Sequence, residues 1–334
     1  MFFWLSVLAI IYTYVGYPLL IFIISLFYEK PVKKKYIYPT VSVIMSVHNE
    51  EKNIKQKLES LINLDYPNER FEILLGSDGS TDKSNEIIQQ VVNDMSDRHT
   101  SNKEYIRVYT YFKDRRQGKP SMLNELAKQA KGEILVFTDA RQRLDKNSLK
   151  ELVKNFSDAK VGSVSAELHF EGENTSAGNG IGVYWRYEKY IRKAESRAGS
   201  MLGATGALYA IRRELFEALP INLILDDVYI PMRIVQKGYR AIFDKKAKIY
   251  DRYPKNAKEE FLRKVRTLAG NFQIFVHMRW LLNPFKSPVA WQMFSHKFLR
   301  LMVPFLLIFV LVCSFYLRSS VFLSDGFYSA SHIL

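Results

Sequence analysis

Residues 1–28 contain no Asp, Glu, Lys, Arg or His. Wound as a helix, such a run extends about 42 Å, more than the roughly 30 Å hydrocarbon core of a bilayer. It therefore predicts a tilted transmembrane helix, which Pro18 is placed to kink. A cleaved leader is the alternative, but the run has no basic segment before it and no small-residue cleavage pattern. A second uncharged run, 301–317, lies between Arg300 and Arg318. At about 25 Å it needs its flanks to cross a membrane, so a second span is expected over 298–318. A buried helix of a soluble domain is the alternative there.

Between these runs the pattern alternates between short β-rich runs and helical spacing. Strands are expected at 41–47 (after Pro39), 71–76, 105–112 and 134–138. Helices are expected at 52–64, where Ile54, Leu58, Leu61 and Ile62 share a face, at about 80–95 with Ser80 as cap, and at 121–131. Strand and helix in strict alternation predict an α/β fold, a mostly parallel sheet with helices on both faces. Further on, a strand is expected at 161–166, a helix from Arg213, a helix at 228–236 and an amphipathic helix at 257–275. The expected organisation is thus a soluble domain over 29–255, amphipathic or interfacial helices over 256–297, the second span, and a tail over 319–334 with an apolar ending.

Charge changes this picture in one respect. Lys and Arg outnumber Asp and Glu by 48 to 34, a net +14, while 25% charged and 48% hydrophobic residues exclude a disordered chain. Lys30, Lys33, Lys34 and Lys35 follow the first apolar run, and His296, Lys297 and Arg300 precede the second. By the positive-inside rule both flanks face the cytosol, which predicts an integral protein of a prokaryotic plasma membrane with its middle domain cytosolic. Juxtamembrane lysines facing anionic membrane lipids account for part of the excess. No RNA or DNA motif is present, so no nucleic-acid partner is expected. Trp280 and Trp291 read as interfacial anchors, with a buried core contact as the alternative. One cysteine excludes a disulfide framework and a Cys-rich zinc site.

Ligands of open α/β sheets gather at the carboxyl ends of the strands. There the first predicted strand ends in His48-Asn49-Glu50-Glu51, the second in Ser77-Asp78-Gly79-Ser80-Thr81-Asp82, and the fourth in Thr138-Asp139-Ala140-Arg141. Each alone reads most simply as a helix cap or turn former; three acidic strand ends on one sheet make a constellation. Arg115, Arg116 and Lys119 lie in a Gly-containing loop suited to an anion or, equally, to a solvated surface. Asp226 and Asp227 precede a helix and are either a cap or paired functional carboxylates.

With these motifs in hand, the chain resembles the family 2 glycosyltransferases of the membrane-anchored kind that includes cellulose and hyaluronan synthases. The resemblance covers about 38–300 and rests on six motifs in order: 43–51, 77–82, Gly118-Lys119-Pro120 with Asn124, Thr138-Asp139-Ala140, Asp226-Asp227, and Arg263-x-x-Arg266. It implies a GT-A fold and inverting transfer from a nucleotide sugar, a UDP-sugar by preference, to a glycan or lipid-linked acceptor in cell-surface polysaccharide biosynthesis. It implies that Asp227 is the general base, with Asp226 beside it. Asp78 would accept from a uracil imide, with His48 and Glu50 lining the nucleotide cleft. Lys119, Arg263 and Arg266 would hold the diphosphate, Glu167 would meet sugar or acceptor, and Asp139 would bind a divalent metal, Mg or Mn, and the diphosphate.

Two residues depart from the family pattern. Arg141 stands where Asp-x-Asp has its second Asp, and a cation there opposes metal binding by charge. Thr267 replaces the Trp that gives processive synthases an acceptor platform, which points away from long-polymer synthesis. The competing readings are a processive synthase with further spans and a non-catalytic protein that binds a nucleotide sugar.

Overall fold

The computed structural model describes residues 1–97, 106–171, 176–253 and 257–330. The chain divides into two compact units, Met1–Ile24 with Trp280–Leu334, and Ser25–Arg279. It opens with α1 (Phe2–Ile11), a π-helical turn (Tyr12–Gly16) and α2 (Tyr17–Phe27), which together make an apolar helix over Phe2–Phe27 long enough to cross a membrane.

The larger unit carries β1 (Val41–Val47), α3 (Ile54–Ile62), β2 (Phe71–Asp78), α4 (Ser84–Asp97), β3 (Arg107–Lys113), α5 (Lys119–Gln129), β4 (Ile134–Thr138) and β5 (Arg143–Leu144). It continues through α6 (Ser148–Val153), β6 (Val161–Glu171), α7 (Ser176–Ala198), β7 (Leu208–Arg212), α8 (Asp226–Gln236), β8 (Arg240–Arg252) and α9 (Ala257–His277). The eight strands form one sheet in the order β3-β2-β1-β4-β7-β6-β8-β5. β1 and β2 are buried almost throughout, as apolar strands covered on both faces must be, and their side chains dominate the core with those of β4 and β6.

The first four strands are parallel, as the alternation predicts. Beyond β4 the sheet is mixed: β7 runs antiparallel to both β4 and β6, β8 is parallel to β6, and β5 is antiparallel to β8. The sequence reading misses β7 and β8. It places a Gly-rich loop and a helix from Arg213 where the chain forms β7 and a single 3-10 turn, Arg213–Leu215. Glu167, expected just past a strand, lies inside β6 because that strand runs on to Glu171.

Helix starts also shift. Ser80 does not cap α4; its Oγ accepts from the Asn49 N–H and from Ser77, while Asp82 accepts from the Ser84 N–H. The helix expected over 121–131 begins two residues earlier at Lys119, and the helix expected from 228 begins at Asp226. Within 256–297, α9 belongs to the larger unit and Trp280 onward to the other.

In the smaller unit α10 (Ala290–Gln292), a π-helical stretch (Met293–Phe298) and α11 (Leu299–Ala330) run on from one another. The stretch long and apolar enough to cross a membrane is Ala290–Tyr316, which begins well before the expected 298. Trp291 lies within it. Its Nε1–H donates to the Tyr12 hydroxyl at 3.0 Å and its ring meets Tyr17 at 5.2 Å, so it is a helix-packing residue. The apolar ending at 331–334 lies outside the described residues.

Candidate active site

The carboxyl ends of β1 and β2 are laced together. The His48 ring Nδ1 is 2.8 Å from the Asp78 carbonyl, and the Asn49 side-chain oxygen accepts from the Thr81 N–H at 2.8 Å. Asn49 takes a left-handed φ of 54° to make this turn. Glu50 accepts from Asn53 through its carboxylate and from the Ile54 N–H through its carbonyl, so it closes the first turn of α3.

Asp78 is 2% exposed, and its two carboxylate oxygens accept the Gln117 and Gly118 N–H groups at 2.7 Å each. In this arrangement Asp78 fixes the loop that leads into α5. The loop crosses Gly79, which has a φ of +64°, and a Cβ there would strike the Arg116 backbone. Arg115 and Arg116 are therefore placed by backbone packing at a glycine.

The same loop delivers Lys119 to the acidic residues. Its Nζ lies 2.8 Å from Asp139 Oδ1 and 3.0 Å from Asp226 Oδ1. Burial works against its charge, but Asp139 and Asp226 outweigh that and hold the ammonium above its ordinary pKa. Asp226 is 5% exposed and also accepts from the Tyr209 hydroxyl at 3.1 Å, whose ring stacks on Phe137 at 5.0 Å.

Asp227 stands next to it, half-buried. The Gly206 N–H donates to Asp227 Oδ2 at 3.0 Å, and the Ala204 N–H donates to its carbonyl at 2.7 Å. Neither Asp226 nor Asp227 caps α8, whose first turn closes on the Leu225 carbonyl. The small residues at 203–206 thus let two carboxylates converge. A Cβ on Gly206 would sit 3.2 Å from Asp227 Oδ2 and 3.6 Å from Asp139 Oδ2. Burial and the neighbouring Asp226 push the Asp227 carboxyl up to about 6, against the pull of Lys119.

Arg141 turns to other partners. Its guanidinium lies 2.5 Å from Asp251 and 3.8 Å from Glu259, so local carboxylates neutralise it. Arg141 is thus engaged away from Asp139, and Lys119 is the cation in direct contact with that carboxylate. Among the described residues no group of three His, Cys, Asp or Glu is placed to hold a metal by itself. Asp139 is 39% exposed, and Lys119 engages only its Oδ1. A half-exposed carboxylate with Oδ2 outside that ion pair is compatible with a divalent cation, which it would hold together with other ligands.

α9 runs past this cluster. Glu259 near its start meets Arg141, while a Cβ on Gly270 near its end would press on Leu225, directly before Asp226. Arg263 and Arg266 lie on the turns between. Arg263 is drawn to Glu259 at 3.2 Å and Glu260 at 3.8 Å, and Arg266 is exposed. The structure brings neither into contact with Asp139, Asp226 or Asp227. Glu167 is likewise apart, paired with Lys189 at 3.0 Å and His169 at 3.3 Å.

Three participants carry no motif signal. Lys57 of α3 is 1% exposed beneath the end of β4, where it donates to Thr138 at 2.6 Å and to the Gln142 carbonyl at 3.0 Å. Burial pushes its amine down to about 7. Tyr209 and Asp251 complete the set. Lys57 lies on the buried face of an amphipathic helix, and a cation on that face is the signal that could have marked it.

The model described as Glycosyl transferase family 2 matches residues 42–219, and that described as Glycosyl transferase family group 2 matches 134–321. The probable glycosyltransferase YdaM of Bacillus subtilis (strain 168) is 26% identical over 74% of this chain and 58% of its own length. A beta-monoglucosyldiacylglycerol synthase of Synechocystis is 22% identical over 81% of this chain and 55% of its own. A poly-beta-1,6-N-acetyl-D-glucosamine synthase of Staphylococcus aureus is 21% identical over 71% and 55%. The chain thus spans a little over half the length of these relatives. In fold it is similar to the mannosyltransferase PcManGT from Pyrobaculum calidifontis, solved with GDP-Man and Mn2+, with a TM-score of 0.77, 22% identity, and coverage of 98% of this chain and 91% of that one.

Proposed function

The chain belongs to glycosyltransferase family 2, and on that premise we propose that it moves a hexosyl or N-acetylhexosaminyl group from a UDP-sugar to a hydroxyl of a glycan or lipid-linked acceptor, with inversion at the anomeric carbon. The observation that carries the reading is the convergence of Lys119, Asp139, Asp226 and Asp227 at the end of β4 and the start of α8.

The acceptor hydroxyl gives its proton to Asp227 as its oxygen attacks the anomeric carbon. The bond from that carbon to the phosphate oxygen breaks, and the nucleoside diphosphate leaves. A carboxyl raised to about 6 is half-charged near pH 6 and charged at neutral pH, which suits a general base. The Gly206 N–H fixes the carboxylate that must face the acceptor. Lys119 supplies fixed positive charge to the leaving diphosphate, aided by the N-terminal end of α5 on which it sits. Asp139 Oδ2 would hold a divalent metal, which when bound adds charge stabilisation to the same oxygens. The Mn2+ and GDP-Man in the Pyrobaculum mannosyltransferase support a metal and a nucleotide-sugar donor.

Asp78 has its carboxylate engaged by the loop, so it acts first by holding that loop against the nucleotide cleft, which His48 and Glu50 line. Arg263 and Arg266 would reach the diphosphate only if Arg263 exchanged its glutamates for phosphate oxygens.

The two apolar helices and the lysines that follow the first support an integral membrane protein with this unit on the cytosolic face. Thr267, exposed on α9 where processive synthases carry Trp, favours addition of one or a few sugars. The relatives named for a glycolipid and for a polysaccharide are consistent with either acceptor class.

The test is nucleotide release by the full chain in lipid nanodiscs, with membrane lipid extract as acceptor source and a panel of UDP- and GDP-sugars. Release from one UDP-sugar, abolished by EDTA and restored by Mg²⁺ or Mn²⁺, supports the reading. Binding of UDP without release from any donor would favour a non-catalytic binder.

A further inference from the structure

A cavity of about 220 Å³ lies in the same unit, apart from Lys119 and Asp139, lined by Lys34, Lys154, Lys193, Arg197 and residues 243–246. Four separate pieces of chain build it: the linker after α2, the 3-10 turn Lys154–Ser157, α7, and a bulge in β8. The bulge is the constructed feature. Ala166 pairs with Asp244 and Glu167 with Lys248, so residues 245–247 of β8 have no partner on β6. A regular strand would send Lys245 and Lys246 to opposite faces; the bulge leaves both exposed at the cavity.

The charges there do not balance. Asp244, 2% exposed, is the cavity's one carboxylate and is already engaged by Lys34 at 2.9 Å and by Asn155. Lys154 is paired with Glu151, and Arg197 with Glu29 at 2.9 Å. Lys193, Lys245 and Lys246 form no ion pair among the described residues. Three exposed ammonium groups around this open cavity fit a phosphate-sized anion.

The position says where that anion comes from. Lys34 is seven residues beyond Phe27, the end of the first apolar helix, so at most about 25 Å of chain separates them. The linker is pinned to the unit along that path. The Lys30 N–H donates to the Arg197 carbonyl at 2.8 Å, Arg240 donates to the Lys30 carbonyl at 2.9 Å, and the Lys35 N–H donates to the Lys154 carbonyl at 3.3 Å. Lys34, at the cavity, is thus tethered by that short length of chain to the end of the helix. We propose that it binds the phosphate headgroup of an anionic membrane lipid and so fixes the catalytic unit against the bilayer. This rests on the reading of Phe2–Phe27 as a membrane span.

The experiment titrates the full chain in a neutral detergent with dioctanoylphosphatidylglycerol, dioctanoylphosphatidylcholine or inorganic phosphate, following the thermal unfolding temperature. Alkaline carbonate extraction of native membranes runs beside it. The expected result is a saturable rise with phosphatidylglycerol only. In the triple variant Lys193→Gln, Lys245→Gln, Lys246→Gln the apparent affinity should weaken roughly tenfold or more, with the lipid-free unfolding temperature kept. Replacing the same three residues by Arg should preserve the response. An unchanged response in the Gln variant overturns the site, leaving only lipid around the apolar helices. An equal response to inorganic phosphate overturns the lipid assignment. Release of the chain by carbonate overturns the membrane reading itself, whatever the titration gives.

Discussion

Lys119 holds its ammonium 3.0 Å from Asp226, and the same group reaches Asp139 at 2.8 Å, so one cation joins the end of β4 to the start of α8. Removing it should hurt in two ways. Lys119→Met takes charge from the leaving diphosphate and should lower kcat by about 10²–10³. It also removes the pull that opposes burial at Asp227, so the acid limb of the kcat/KM profile should move to higher pH. Steady-state rates from pH 5 to 9 on both proteins check this.

The wild-type pH profile follows from Asp227. Its carboxyl is raised to about 6, and a base must be ionised, so activity should be lost as pH falls through about 6. The stability effect has the opposite sign to that of a salt-bridged carboxylate. The folded chain binds the proton more tightly than the unfolded chain, so this group lowers stability as pH rises from about 4 to 6. Asp227→Asn should therefore keep or raise the unfolding temperature at pH 7, as calorimetry at pH 5 and 7 can measure.

Gly206 is a third point of control. Its N–H holds Asp227, and an added methyl would press at 3.2 Å on the same carboxylate oxygen. Gly206→Ala should leave the fold intact and cut kcat roughly ten- to a hundredfold by displacing the base, with a smaller change in KM. An unchanged kcat would place the reacting carboxylate elsewhere.

Much of this site is legible in the sequence, because its residues end strands whose apolar runs are unmistakable. β1, β2 and β4 read directly as short buried strands, and His48, Asp78 and Asp139 follow from their ends. β8 does not read, because Asp244, Lys245 and Lys246 sit in its middle, where a bulge exposes both lysines while Asp244 stays buried. β7 does not read because Gly203 and Gly206 suggest a loop, and Arg213 a helix start. In the fold Arg212 instead donates to the carbonyls of Phe156, Asp158 and Val161. The direction in which Arg141 turns depends on Asp251 at the far end of β8, a contact no local pattern announces.

The Asp78 carboxylate ties two backbone N–H groups of the loop before Lys119. Asp78→Ala should free that loop and raise KM for the donor about tenfold or more, with a loss of stability of about 1–3 kcal/mol from the unpaired amides. Urea unfolding and donor titration separate the two effects. Gly79→Ala should destabilise more sharply, since it combines a φ of +64° with a clash at the Arg116 backbone.

The most direct test of the central claim compares Asp227→Asn with wild type in single-turnover sugar transfer, with UDP affinity measured on each protein. The account predicts transfer reduced at least about a thousandfold, with UDP bound within about twofold of wild type, because Asp227 serves the acceptor proton and not the nucleotide. Transfer retained at a tenth of wild type or more would contradict it and remove Asp227 as the base.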